Sequence, residues 1–113
     1  MTKYIELITA YEVDVCFPAV SGLEHLDMLR VRSEIANYEA DLTAEARARL
    51  LEADKVLLRQ ARHFYKAIHE IADLATWRRD ENIPVTHWWW YLDVLAQLPE
   101  LPAAEIIPER AAA

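Results

Sequence analysis

Only one glycine, Gly22, occurs in the 113 residues of the chain. Tight β-hairpin turns need residues that adopt positive φ, and phosphate-cradling loops need glycines at several fixed positions. A chain this poor in glycine excludes Gly-rich nucleotide loops and most antiparallel sheet designs, and leaves a helical fold with few reversals. Hydrophobic residues make up 54% of the chain and charged ones 27%, a balance that forms a core rather than a disordered coil. The length suits a single domain that buries about two-thirds of the surface its unfolded chain exposes.

The first segment, Tyr4 to Phe17, carries two periods. Tyr4, Ile8, Tyr11 and Val15 share a helical face, while Tyr11, Val13, Val15 and Phe17 alternate as in a strand. Helix is favoured, because no second strand-like segment is available for pairing. After Pro18, Ser21-x-x-Glu24 forms a capping box that opens a helix through about Ala40, with Leu23, Leu26, Ile35 and Tyr38 inward. Asp41 to Thr43 makes the next turn, and Thr43 is a good N-cap for a helix starting at Ala44.

Residues 44–78 contain neither glycine nor proline. Leu50, Leu57, Ala61, Phe64, Ile68, Ile71 and Ala75 recur mostly at spacings of three and four, widened by Leu51, Leu58, Tyr65 and Leu74. This pattern predicts one central helix, about 50 Å long if unbroken. After a turn at Asp80 to Pro84, Thr86 is expected to cap a last helix from His87 to Leu98, with Trp88, Leu92 and Leu95 inward. Pro99, Pro102 and Pro108 prevent a continuous helix beyond it. The expected architecture is all-α: a small bundle of three to four helices over residues 1–98, built on the long helix at about 44–78. An extended, proline-containing tail is expected at 99–113.

Charge is unevenly distributed. The chain carries 12 Lys and Arg against 19 Asp and Glu, a net −7. Residues 1–45 hold nine acids and three bases, residues 46–79 four acids and eight bases, and residues 80–113 six acids and one base. The expected long helix is therefore basic among acidic neighbours. Lys55, Arg62 and His69 lie seven apart, with Arg59 and Lys66 beside them, and outline a basic ridge. Such a ridge suits nucleic acid, an acidic partner, or neutralisation by the chain's own acidic helices within a monomer or a dimer. Conversely, the acidic surface could imitate nucleic acid and block a basic protein.

Thr86-His87-Trp88-Trp89-Trp90-Tyr91 is the most unusual passage. At 100° per residue, three consecutive tryptophans span about 200° of a helix surface, more than one narrow apolar face can bury. Large rigid rings make good interface anchors. Trp88, Trp89, Trp90 and Tyr91, with Trp77, are therefore read together as a partner-binding surface, although Trp88 taken alone is read as core. Arg78 and Arg79 are placed to stack on exposed rings. Base stacking on the same rings is a third reading, opposed by the surrounding acids.

Catalytic chemistry has less to work with. Cys16 is the only cysteine, so no internal disulfide and no thiolate zinc site can form. His25, His63, His69 and His87 show no metal-ligand spacing, and His69 with Asp73 reads as a surface contact. No metal and no cofactor are expected. Ser33 lies inside a helix without a nucleophile elbow. Arg62-His63-x-x-x-x-x-His69 resembles the Arg-x(4–6)-His pattern of HEPN ribonucleases, small all-α domains that cleave RNA as dimers. The match covers eight residues and the helical class. It implies that Arg62 and His69 act on the scissile phosphate.

The N-terminus lacks the features of a signal peptide, and no stretch of apolar residues reaches membrane-spanning length. With one cysteine, these features lead to an expected cytoplasmic location. The favoured function is a non-enzymatic protein-interaction module, an adaptor, inhibitor or assembly factor, docking through the aromatic surface. It would work as a homodimer or within a hetero-complex, with nucleic acid a weaker partner and membrane none. The HEPN-like ribonuclease and the acidic mimic are the alternatives.

Overall fold

The computed structural model describes residues 3–17 and 19–98. The tail expected at 99–113 lies outside the described residues. Every regular element among the described residues is helical, with no strand: α1 Lys3–Asp14, α2 Gly22–Ala36, a 3-10 turn Glu39–Asp41, α3 Ala44–Arg59, α4 Ala61–His69, α5 Leu74–Asp80, a second 3-10 turn Trp88–Tyr91, and α6 Leu92–Leu95.

In α1 the two competing periods resolve as helix. Tyr4, Ile8, Tyr11 and Val15 are buried, whereas Val13 and Phe17, which only the strand pattern would bury, are exposed. Ser21 caps α2, its Oγ accepting from the Glu24 amide at 3.3 Å. The reciprocal half of the capping box closes on the hydroxyl instead of the backbone, with Ser21 Oγ donating to Glu24 Oε2 at 3.4 Å. The helix ends at Ala36, short of the expected Ala40. Leu23, expected inside, is 70% exposed. The inward stripe of α2 runs instead through Gly22, His25, Leu26, Met28, Leu29, Arg32 and Ile35. Two of its positions carry polar side chains, which hid the stripe's phase.

The continuous helix expected over 44–78 is not formed. It breaks at Gln60 (φ −101°, ψ 12°) and again after His69, where Asp73 caps α5 by accepting from the Ala75 amide. Size gives the physical reason. An unbroken helix of that length would measure about 50 Å, whereas the described residues extend only 36 × 36 × 26 Å. Breaking lets successive parts of one stripe meet different partners: α3 packs on α1, while α4 packs on α2 and α6. The stripe itself survives the first break, since Leu50, Leu57, Ala61, Phe64 and Ile68 are all buried. Past Ile68 it ends. Ile71 and Ala75 face solvent, and Leu74 turns inward.

Gly22 sits where α2 crosses α4. A Cβ there would stand 2.4 Å from the carbonyl oxygen of Ala67, a backbone atom that cannot swing aside. Its φ is not positive. The single glycine is thus set by close helix approach, with no turn involved.

Candidate functional site

The last segment is anchored from both flanks. Asn82 adopts φ 53°, a left-handed conformation that asparagine tolerates well, and it ends the run of α5. The His87 amide then donates to the Pro84 carbonyl at 3.0 Å, which starts the Trp88–Tyr91 turn. Arg78 of α5 grips the far end, donating from Nη1 to the Trp90 carbonyl at 2.9 Å and to Asp93 Oδ1 at 2.6 Å. Its Nη2 completes the fork on Asp93 Oδ2 at 3.2 Å.

The expected last helix from His87 to Leu98 is therefore a 3-10 turn followed by a short α6. That change redistributes the tryptophans. Trp89 and Trp90 are 2% and 1% exposed, and so are corrected from partner-binding surface to core. Trp88, expected inward, is only half-buried, as are Tyr91 and Trp77. Trp77 stacks on Trp90 with centroids 6.2 Å apart, and Trp88 meets Trp89 edge-on at 5.6 Å. Arg78 does stack, over Tyr91 at 4.1 Å, but it is committed to Asp93 as well. Arg79 is exposed beside Asp80, with Nε 4.0 Å from Oδ1.

Both buried indoles converge on one atom. Trp89 Nε1 donates to Ser33 Oγ at 2.9 Å and Trp90 Nε1 to the same oxygen at 2.8 Å. The third contact of Ser33 Oγ is His87 Nδ1 at 3.2 Å. A hydroxyl has two lone pairs and one hydrogen. The indoles, which only donate, take both lone pairs, so the hydrogen goes to Nδ1 and His87 is neutral with its proton on Nε2. Ser33 is saturated and has no capacity left to act as a nucleophile.

Beside this node lies a buried ionic centre. Arg32, 4% exposed, forks onto Asp54 through Nε at 3.0 Å and Nη2 at 3.1 Å. Its guanidinium also lies over the Trp89 ring at 4.0 Å. Tyr11 donates to Asp54 Oδ1 at 2.5 Å. Burial first, and then the Asp54 carboxylate, push the Tyr11 phenol far above its ordinary range, so it stays protonated. Arg32 Nη1 is buried without a hydrogen bond, 3.6 Å from Glu39 Oε1. Sequence reasoning missed Tyr11, Arg32, Ser33, Asp54 and His87 as a group. One signal was present: Arg32 falls in phase with Leu29 and Ile35, and a charge at a core position demands a buried partner.

The basic ridge is divided between two helices by the break at Gln60. Lys55, bonded to Glu52 at 3.3 Å, and the exposed Arg59 belong to α3, while Arg62, Lys66 and His69 belong to α4. Arg62 and His69 are not brought together. Seven residues apart in one helix, they stand about 10 Å apart along its axis. Arg62 donates to the Leu98 carbonyl at 2.7 Å, and His69 Nδ1 lies 3.3 Å from the Tyr65 hydroxyl.

What faces outward on the last segment is a stripe. Trp88, Tyr91, Val94 and Leu98 recur at spacings of three, three and four, and none is fully buried. Trp88 and Tyr91 lie one 3-10 turn apart and so share a face. Among the described residues no cluster of three or more His, Cys, Asp or Glu could hold a metal ion, and no helix is long and apolar enough to cross a membrane. Compared with known protein families, curated proteins and solved structures, the chain matches none.

Proposed function

We propose that this chain is a protein-interaction module that docks through the outward stripe of its last segment, Trp88, Tyr91, Val94 and Leu98. The observation that carries this reading is the contrast within that segment. Trp89, Trp90 and Leu92 are locked into the core, while the alternate face keeps four large apolar side chains at least partly exposed, Val94 by 50%. Burying such side chains against a partner stabilises a complex by about 25 cal/mol for each Å² of apolar surface removed from water. The buried indoles act as the rigid base and the half-buried rings as the contact. The net charge of −7 favours a partner that carries basic groups, which raises the association rate. A second copy of the chain or a different protein would both satisfy the stripe, and the cytoplasm is the proposed compartment, consistent with the exposed thiol of Cys16.

Light scattering of the purified chain and of Val94→Asp, with Leu51→Asp as a control on α3, tests this. Both positions are exposed, so both variants should fold. The expected result is an assembly, of copies or with a co-purifying protein, that Val94→Asp loses and Leu51→Asp keeps. A monomer that retains the same state in both variants overturns the proposal.

A further inference from the structure

We propose that His87 is a proton-operated latch, holding the Trp88–Leu95 segment on α2 through Ser33 while neutral and releasing it when protonated. The proposal stands on the hydrogen-bond geometry at Ser33 and holds whether or not the stripe docks a partner.

Donors and acceptors balance only in one protonation state. With His87 neutral, Ser33 Oγ receives the Trp89 and Trp90 indole N–H groups and gives its hydrogen to His87 Nδ1. All three partners are satisfied. Protonation turns Nδ1 into a donor. Three donors then face two lone pairs, and the serine hydrogen loses its acceptor. One of the three bonds must go, and the two indoles are buried where a lost bond is not replaced by water. The imidazole also stacks on Trp89 at 4.6 Å, so its displacement disturbs the same ring that covers Arg32.

The charges around the ring favour the neutral form. Among the described residues, Arg32 of α2 opposes a second positive charge at His87, and Glu39 of the first 3-10 turn favours one. Asp54 of α3 and Tyr11 of α1 engage the same Arg32 guanidinium, leaving it committed in place. Burial, the largest influence, and then Arg32 hold His87 below its ordinary value of 6.5. The latch is therefore closed near neutral pH and opens on acidification below 6.5.

The test tracks tryptophan emission and the indole N–H resonances of the full chain from about pH 8 to about pH 5, across the imidazole range. The expected result is a red shift of emission with a midpoint below 6.5, matched by the titration of the His87 ring. Trp89 and Trp90 indole signals should move at that midpoint. In His87→Asn, whose Oδ1 replaces Nδ1 as acceptor and cannot titrate, the red shift should be lost. A red shift that persists unchanged in His87→Asn overturns the proposal. So does a wild-type His87 titration that leaves the Trp89 and Trp90 signals in place, a result readable even if the variant fails to fold.

Discussion

Two residues show how much of this fold rests on single atoms. At Gly22, alanine would gain about 1 kcal/mol of helix propensity, yet its Cβ would meet the Ala67 carbonyl oxygen at 2.4 Å. Neither backbone can retreat without separating α2 from α4, and overpacking of this kind costs about 1–3 kcal/mol. Gly22→Ala is therefore expected to lower the urea midpoint, and an unchanged or higher midpoint would show that the crossing has room for a methyl group. Ser33→Ala tests the other residue. It strands two buried indole N–H groups at about 1–3 kcal/mol each, against a negligible change in volume. We expect a loss of about 2–6 kcal/mol in denaturant unfolding, far beyond an ordinary exposed serine substitution. A loss under about 1 kcal/mol would mean that the indoles have other partners.

At the scale of the element, the helical class and most of the inward positions were legible in the sequence, and the breaks were not. Ser21 and Thr43 announced α2 and α3 because each cap acts on amides within its own turn. The breaks at Gln60 and Glu70–Asp73 belong to a different kind of cause. The residues there favour helix, and the chain turns because a straight rod would carry its apolar stripe beyond the partners that cover it. Asp73 does carry a local signal, a cap with Thr76 three residues on, whose hydroxyl donates to Asp73 Oδ2 at 3.2 Å. Its spacing of four from His69 masks that signal, because the same aspartate also suits a surface pair on one helix. The Ser33 node was illegible, since residues 33, 87, 89 and 90 meet only once the last segment is docked. Asp73→Ala should lower stability through loss of the α5 cap. Because α5 carries Arg78, part of that loss should register as faster exchange of the Trp90 indole proton; if only α5 amides respond, the two elements are not coupled.

At the scale of the whole molecule, stability depends on pH in two separable steps. Glu12 of α1 accepts from Arg49 of α3 at 2.6 and 2.9 Å, and this hydrogen bonding holds its carboxyl below the usual carboxylate range. A depressed carboxylate adds stability above its unfolded value, and that stability is lost as pH falls through the folded value. His87, also depressed, adds stability that is full above 6.5 and lost between there and its own lower value. Asp14 acts in the opposite sense: burial, then Asp27 and Glu24, raise its carboxyl, so acidification relieves it. The histidine and Glu12 steps therefore run in the same direction, each a loss of stability on acidification. Glu12→Gln should remove only the Glu12 share of the carboxylate step, to which Asp73, held low by the Thr76 hydroxyl, also contributes. The ion pair is one-third exposed on both sides, so the difference from wild type at neutral pH should be small, about 0–1 kcal/mol, and should fade in strong salt. Denaturant midpoints measured against pH for wild type, Glu12→Gln and His87→Asn decide the matter. Each variant is expected to lose its own part of the pH dependence and leave the other's in place. A single limb that both variants shift together would mean that the α1–α3 contact and the docked aromatic segment unfold as one ionisation-coupled unit.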